Sequence, residues 1–202
     1  LGFAAVVVLG WGIFDLIRMD GFDSTLKTHI AWRWTPTAEQ RFLAQNASAN
    51  ESAKAADGAP ALRADATTWT AFRGPDRDGA MHGTHVPTDW STKAPQQLWK
   101  RAVGPAWSSV IVIGNRLYTQ EQRGSVEAIV CYDAATGQQV WAHEDTTRFD
   151  EAVSGAGPRA TPTFADGRIY SFGGTGILNC LDAQSGKLVW SRGSKNGLQG
   201  KP

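Results

Sequence analysis

The chain has 202 residues, of which 42% are hydrophobic and 19% are charged, and its formal net charge is +1. This length allows one ordinary domain, or one domain with an anchor and a linker. The near-neutral charge excludes a basic surface suited to nucleic acid, and 2 cysteines exclude a disulfide-rich scaffold. The unusual counts are 9 Trp and 22 Gly, which indicate a repeating structure. Because the chain starts inside an apolar run and stops without a closing element, we expect a piece of a longer protein.

The first predicted element is an apolar helix. Residues 1–14 carry no charge, and at 1.5 Å per residue they would reach about 21 Å, which is less than the roughly 30 Å hydrocarbon core of a bilayer. The sequence therefore predicts a truncated transmembrane helix over residues 1–17, completed by residues further upstream. A signal-peptide core and a buried core helix are the alternatives. The mixed charges that follow favour a translocated C-terminal side.

Two connecting segments follow the apolar run. Residues 18–43 are predicted as a juxtamembrane segment, in which Trp32 and Trp34 either anchor at the lipid headgroups or pack in a small local structure. Residues 44–68 are rich in alanine and have no apolar stripe, so they are predicted as a linker.

An internal repeat dominates the second half of the chain. Residues 131–141 and residues 180–190 share Cys, Asp, Ala, Gly, Val and Trp at the same positions. Upstream of each copy, a glycine-containing turn leads to a tyrosine, at Tyr118 and Tyr170, and a partial third copy ends at residues 98–99. The repeated residues that define the pattern are Asp133, Gly137, Trp141, Asp182, Gly186 and Trp190.

Each repeat unit is predicted to contain short strands joined by tight turns. In the first unit, residues 110–113 form an apolar run that ends at a Gly-Asn turn, and residues 117–119 begin the returning strand. Residues 128–132 form another apolar strand, and in the turn at residues 133–137 Asp accepts amide hydrogens while Gly supplies positive φ. Residues 138–141 form an outer strand whose Trp can wedge between units. Four strands in roughly 40–50 residues predict a β-propeller blade, with a β solenoid as the alternative.

The repeated pattern Asp-Ala-x-Thr/Ser-Gly-x-x-Val-Trp resembles the pyrroloquinoline quinone (PQQ)-type propeller repeat. That superfamily includes quinoprotein alcohol dehydrogenases and the BamB-type outer-membrane assembly lipoprotein. Residues 69–79, which read Trp-x-x-Phe-Arg-Gly-Pro-x-Arg-x-Gly, together with Leu98-Trp99 resemble bacterial PQQ-like repeat proteins that carry membrane helices ahead of the propeller. The resemblance covers about residues 69–192. It implies an all-β fold in which residues 69–202 form a partial propeller of about two to three blades. Complete rings in this family typically have eight blades. It also implies a location at the bacterial inner membrane, with the propeller facing the periplasm.

The resemblance further implies a candidate site on the propeller axis. In quinoprotein dehydrogenases PQQ lies over the central channel, held by a stacking Trp, polar side chains, a calcium ion and a vicinal Cys-Cys disulfide. This chain has no Cys-Cys pair, and Cys131 and Cys180 occupy equivalent strands, so we expect buried free thiols, with a disulfide or a metal role as the alternative. The innermost strands would follow residues 104–109 and 157–162. The channel-facing candidates for cofactor binding are therefore Trp107, Ser108, Arg159 and Thr161, unless these residues only satisfy backbone groups where the strands begin.

Three other polar groups have plainer interpretations. Residues 120–123 (Gln-Glu-Gln-Arg) are predicted as a solvated hairpin tip, with a polar channel rim as the alternative. Residues 143–145 (His-Glu-Asp) are predicted as an exposed turn, with an acid–base or calcium role as the alternative. His82 and His85 lack further ligands at a fixed spacing, so no metal site is assigned.

The sequence is compatible with three functions. The first is a non-catalytic binding or scaffolding module of the bacterial cell envelope, tethered to the membrane and contacting envelope proteins, because propeller rims offer broad surfaces and no catalytic set is visible. The alternative is a PQQ-dependent oxidoreductase of the alcohol or sugar dehydrogenase type, which would use PQQ with Ca²⁺ and hold most cofactor ligands in other blades. A sensor propeller joined to a separate output domain is a third possibility.

Overall fold

The structure, a computed structural model, describes residues 10–22, 27–47, 62–65, 68–81, 83, 85–92, 94–151 and 154–193. Most of the regular structure in these residues is antiparallel β-sheet, which agrees with the predicted all-β class. A helical segment at residues 10–16, one hairpin and a second helix precede two four-stranded sheets. The repeat units are therefore two successive sheets of the same design.

The predicted location at the bacterial inner membrane is wrong on the described part of the chain. Among these residues no helix has the length and apolar character needed to cross a bilayer. Residues 10–16 are helical, and the chain changes to a β-strand at Ile17. Residues 1–9 of the predicted transmembrane segment lie outside the described residues.

The predicted juxtamembrane segment contains a β-hairpin. Strand β1 (Ile17–Phe22) pairs antiparallel with β2 (Thr28–Trp32), with an irregularity in the register after Met19. Just beyond β2, the rings of Trp32 and Trp34 stack with centroids 5.0 Å apart and an interplanar angle of 10°. These two tryptophans pack on each other, as one of the two sequence interpretations proposed.

A short helix, α1 (Ala38–Ala47), follows the hairpin and packs on the first four-stranded sheet. It begins with a reciprocal cap, in which the Gln40 backbone N–H donates to Thr37 Oγ1 at 3.0 Å and the Thr37 N–H donates to Gln40 Oε1 at 2.8 Å. Further along α1, Phe42 is only 2% exposed and lies near the guanidinium of Arg123 in the first sheet. The helix thus covers a face of the first sheet.

The carboxylate of Glu39 in α1 connects the helix to two loops of the repeat region. Glu39 pairs with Arg148 at 2.8 Å and accepts the backbone N–H of Gly124 at 2.9 Å. These contacts join residues far apart in sequence, so the predicted juxtamembrane segment and the start of the predicted linker lie against the repeat region. Residues 48–61, 66 and 67 of the linker lie outside the described residues.

The two four-stranded sheets are antiparallel meanders in chain order. The first sheet comprises β3 (Ile111–Ile113), β4 (Arg116–Arg123), β5 (Val126–Asp133) and β6 (Gln139–Asp145). The second sheet comprises β7 (Thr163–Ala165), β8 (Arg168–Phe172), β9 (Leu178–Asp182) and β10 (Leu188–Arg192). The apolar runs and tight turns of the sequence therefore lie where they were predicted, and each unit has four strands.

The two sheets repeat the same register as well as the same order. Cys131 pairs with Tyr118 on one side and Trp141 on the other, and Cys180 has the same neighbours, Tyr170 and Trp190. In both sheets the register between the third and fourth strands shifts just before the tryptophan. The shift lies between Gln139 and Trp141 in the first sheet and between Leu188 and Trp190 in the second. The sequence repeat is therefore also a repeat of pairing, since equivalent residues have equivalent cross-strand partners.

The sheets pack face to face around one apolar core. Its buried members come from both sheets: Ile111, Ile113, Tyr118, Ile129, Cys131, Trp141, Phe164, Ile169, Leu181 and Ala183. Trp141 joins the two units directly, because its indole N–H donates to the Ala183 carbonyl at 3.1 Å and its ring covers Gly186. The predicted insertion of this tryptophan between units is confirmed. The hydroxyl of Tyr118 donates to the same carbonyl at 3.1 Å.

The same contact occurs one unit earlier in the chain. Trp99 donates its indole N–H to the Ala134 carbonyl at 2.9 Å, and its ring covers Gly137. At the other end, Trp190 is 40% exposed. Each turn of the Asp-Ala-x-Thr/Ser-Gly type therefore receives the tryptophan of the preceding unit.

The predicted hairpin tip at residues 120–123 is instead a buried part of β4. Gln120, Glu121 and Gln122 are at most 2% exposed, and Arg123 is 7% exposed. Gln120 donates to the Ala160 carbonyl, so this polar strand is tied to the chain that enters the second sheet. Polar residues are stable here because each finds a hydrogen-bonding partner away from its own strand.

The predicted exposed turn at residues 143–145 is the end of strand β6. His143 and Asp145 are partly buried, and Asn179 of the second sheet donates its side-chain N–H to Asp145 at 2.6 Å. The segment is therefore part of the contact between the sheets. Of the two histidines in the upstream loop, His82 lies outside the described residues.

Candidate functional site

The candidate site lies where two chain segments run side by side before the innermost strands. The backbone N–H of Trp107 donates to the Pro158 carbonyl at 3.0 Å, and the backbone N–H of Ser109 donates to Thr161 Oγ1 at 3.0 Å. Gly157 is required at this approach, because it has φ +97° and a Cβ there would overlap the Pro105 carbonyl. The structure thus brings the segments that carry all four sequence-predicted residues to one place.

Trp107 is the most prominent side chain of the site. The residue is 66% exposed, and its indole N–H donates to the Ser154 carbonyl at 2.7 Å. The guanidinium carbon of Arg159 lies 6.0 Å from the Trp107 ring centroid and 4.9 Å from that of Phe149. The cation therefore lies near two aromatic rings, at distances typical of cation–π contacts.

The hydrogen-bond donors of Arg159 are used within its own loop. Nη1 donates to the Gly157 carbonyl at 3.1 Å, and Nη2 donates to both Ser154 Oγ and the Gly155 carbonyl at 2.8 Å. The carboxylate of Glu151 is 3.7 Å away and supplies the opposite charge. Arg159 therefore holds Ser154, Gly155 and Gly157 together, and the Trp107 indole is bonded to the same segment at Ser154.

Ser108 and Thr161 make local contacts. Ser108 Oγ donates to the Ser109 carbonyl at 2.9 Å and lies 3.4 Å from Thr119 Oγ1. Thr161 Oγ1 accepts the Ser109 N–H described above. Both hydroxyls thus satisfy backbone groups where the innermost strands begin, which was the simpler of the two sequence interpretations.

A buried charged group lies on the opposite face of β4. Glu121 accepts from Arg123 Nε at 2.7 Å, from the Tyr132 hydroxyl at 3.1 Å and from the Gly104 N–H at 2.9 Å. Burial lowers the pKa of Arg123, but the adjacent Glu121 carboxylate outweighs it, so the net pKa lies above the usual value. Burial, followed by the negative Glu121, raises the pKa of Tyr132 to about 12. Because Gly104 begins the segment that carries Trp107, this group fixes one end of the candidate site.

The two cysteines are buried free thiols, as predicted. Burial raises the pKa of Cys131 to about 12, so the thiol stays protonated and unreactive near neutral pH. Among the described residues no cluster of three or more His, Cys, Asp and Glu side chains could hold a metal ion.

Sequence reasoning missed Phe149 and Ser154, which complete the surroundings of Trp107 and Arg159. They lie in the loop between β6 and β7, where no repeat pattern marks them. A signal was nonetheless present in the Gly155-x-Gly157-Pro158 sequence, because glycines flanking a short loop permit close backbone approach.

Comparisons with known proteins find similarity over part of the repeat region. Residues 126–202 match the family model described as "Outer membrane protein assembly factor BamB". Among solved structures, a "Europium-containing methanol dehydrogenase" matches with a TM-score of 0.35 and 19% sequence identity, over 47% of this chain and 17% of that chain. The chain therefore spans less than a fifth of that enzyme. No curated protein matches. The part of the repeat region from β5 onward is therefore similar to the family of the outer-membrane assembly factor BamB.

Proposed function

We propose that this chain is a non-catalytic binding module, which contacts a partner protein through the surface around Trp107. The observation that carries the proposal is the exposed Trp107 ring, held in place by a loop whose polar groups are already bonded to one another. Tryptophan and arginine dominate the binding energy of protein interfaces when they are rigid and central. The matched family model is named for an assembly factor, which favours a protein-binding role.

The surroundings of Trp107 fit protein contact. On either side of Trp107 in the sequence, Val103 is 52% exposed and Val110 is 40% exposed. Arg159 adds positive charge behind the ring, but its donors are engaged, so it acts mainly as a rigid support. An apolar centre with hydrogen-bonded polar groups around it resembles the core and rim of a protein interface.

The alternative function needs PQQ, and the described residues fit that cofactor only in part. Trp107 offers a flat aromatic face on which a planar quinone could stack. Arg159 would have to release its bonds to Ser154 and Gly155 before it could clamp a cofactor carboxylate. These residues thus supply an aromatic face without a free guanidinium, and no reaction step is assigned to them.

A titration of the purified chain with PQQ and Ca²⁺ tests the proposal. Quinone absorbance reports binding, and dye-coupled oxidation of alcohols reports turnover. We expect neither stoichiometric binding nor turnover. Stoichiometric PQQ binding with turnover, both lost in Trp107→Ala, would overturn the proposal in favour of the oxidoreductase alternative.

A differential binding experiment tests the protein-contact surface itself. Immobilised wild-type chain and Trp107→Ala are compared for retention of proteins from the same bacterial extract, with Trp90→Ala as the matched control. Trp90 is also an exposed tryptophan, at 57%, and lies outside the site. We expect a protein that is retained by the wild type and by Trp90→Ala and is lost in Trp107→Ala. Equal retention by all three chains would contradict the assigned surface.

A further inference from the structure

A second surface, separate from Trp107, lies along residues 97–102, upstream of the candidate site. Trp99 holds the position in this segment that Trp141 holds in β6 and Trp190 holds in β10, so the segment corresponds to the fourth strand of a repeat unit. Unlike β6 and β10, it belongs to none of the sheets that the described residues form. The segment therefore has the place of a fourth strand, and the described residues supply no third strand to pair with it.

The side chains of the segment fasten it to the first sheet. Trp99 donates to the Ala134 carbonyl as described above, and two residues later Arg101 donates to the Gly137 carbonyl at 3.3 Å. Both residues are partly buried, whereas the residues between and beside them are exposed, with Leu98 at 74%. Attachment at every second residue is the alternation of a β-strand. The segment is therefore positioned like a strand by its side chains.

The backbone of the segment is open. Within the part of the chain that the structure describes, no backbone N–H or carbonyl of residues 97–102 forms a hydrogen bond. The two equivalent strands, β6 and β10, are instead each paired with the third strand of their own sheet. A strand-like segment with unpaired backbone groups is a template on which another strand can pair.

The two complete units show which kind of strand pairs at this position. In the first sheet Trp141 pairs with Cys131, and in the second sheet Trp190 pairs with Cys180. Both cysteines lie in the middle of a largely apolar third strand that runs antiparallel to the fourth. Because Trp99 contacts its turn in the same way as Trp141, the same kind of strand fits beside it.

We infer that residues 97–102 form a strand-addition site, which binds an extended polypeptide strand of the β5 type in antiparallel pairing. In such complexes the backbone hydrogen bonds supply affinity, and the alternate side chains supply specificity. By the register of β5 on β6, the cysteine of the incoming strand lies opposite Trp99, and the residue two positions before it lies opposite Arg101. This surface does not depend on the function proposed for Trp107.

Isothermal titration of the full chain with a peptide of residues 126–133, under reducing conditions, tests the inference. We expect saturable binding that is millimolar or tighter, and no saturation with a peptide of the same composition in scrambled order. Two further peptides are N-methylated at alternate residues, because successive backbone groups of a strand point to opposite edges. One methylated peptide should bind about tenfold to a hundredfold more weakly, from the loss of several hydrogen bonds, and the other should bind like the parent.

Hydrogen exchange shows where the peptide binds. We expect the peptide to slow exchange at alternate amides of residues 97–102 and to leave β10, an exposed strand at the edge of the second sheet, unchanged. Trp99→Ala should weaken peptide binding because it releases the segment, whereas Trp90→Ala, at another exposed tryptophan, should not. The inference is wrong if the peptide does not saturate, if the scrambled peptide binds equally well, if both methylated peptides bind like the parent, or if protection appears at β10 instead.

Discussion

At the residue scale, the contact between Trp141 and Gly186 shows how closely the two units pack. A Cβ at Gly186 would lie 2.6 Å from the Trp141 ring, and Gly186 has φ +71°. The glycine is thus needed for two reasons, since a side chain would be strained by the backbone and would also press on a buried indole. Gly137 repeats both features against Trp99.

We predict that Gly186→Ala lowers the free energy of unfolding by about 2–5 kcal/mol, as the sum of the left-handed backbone penalty and overpacking. The matched control is Gly176→Ala, where φ is +87° but nothing lies within 4 Å of the added Cβ. The control should lose only about 1–2 kcal/mol, from the backbone alone. Urea denaturation followed by circular dichroism measures both, and equal losses would contradict the packing argument.

At the element scale, the tight turn between the last two strands of each sheet depends on one carboxylate. Asp133 Oδ1 accepts the Thr136 N–H at 2.9 Å, the Thr136 hydroxyl at 3.0 Å and the Ala135 N–H at 3.1 Å. Burial raises the pKa of Asp133, but these hydrogen bonds outweigh it, so the net pKa lies below the usual value. Asp182 has the same pattern with Ser185.

The lowered pKa predicts how acid affects the turn. Because the folded-state pKa of Asp133 is depressed, its contribution is fully present above the unfolded value of about 3.9 and is lost as pH falls through the folded value. We expect Asp133→Asn to lower the free energy of unfolding by about 1–3 kcal/mol at neutral pH and to flatten its decline below about pH 4. Urea denaturation at a series of pH values gives both results. An acid profile of Asp133→Asn that matches the wild type would contradict the prediction.

The strands and turns of both sheets were predictable from sequence because their signals are local. Alternating or continuous β-branched runs, Gly-Asn turns and the Asp-to-Gly turn each fix a few residues without reference to distant ones. Residues 120–123 and 143–145 were misread for the opposite reason. Gln120 donates to a carbonyl of the segment that enters the second sheet, and Asp145 accepts from Asn179 of that sheet, and no local pattern reveals such distant partners.

The helix α1 was missed although its start is marked in the sequence. The Thr37-x-x-Gln40 pattern is a capping box, which marks the start of a helix. For the candidate site, the repeat alignment placed Trp107 and Arg159 correctly near the innermost strands. The hydrogen bonds from Arg159 to Ser154, Gly155 and Gly157 could not be predicted, since they depend on the course of the chain before Arg159.

At the scale of the whole molecule, Trp141 couples two sheets that share no strand. It is 5% exposed, and it donates across the interface to Ala183. Stacked repeat units derive stability from each unit and from the contact between neighbours, so loss of one contact should separate their unfolding.

We predict that Trp141→Ala lowers the free energy of unfolding by about 3–5 kcal/mol and uncouples the two sheets. Hydrogen exchange should then show β7–β10 opening at lower free energy than β3–β6, whereas the wild type opens both together. Trp190→Ala is the control, because Trp190 holds the same position in its sheet but is 40% exposed. Uniform loss of protection across both sheets in Trp141→Ala would contradict the prediction.

The Trp-to-turn contact also has a direction. A tryptophan on the fourth strand of one unit meets the turn of the following unit, so the two surfaces in contact are different and cannot form a two-fold symmetric pair. Such heterologous contacts either close into a ring, when the rotation between units divides a full circle, or continue into an open filament. The exposed Trp190 surface is therefore one half of a directional joint. The angle between neighbouring units, which the Trp141 contact sets, decides whether a series of such contacts closes into a ring.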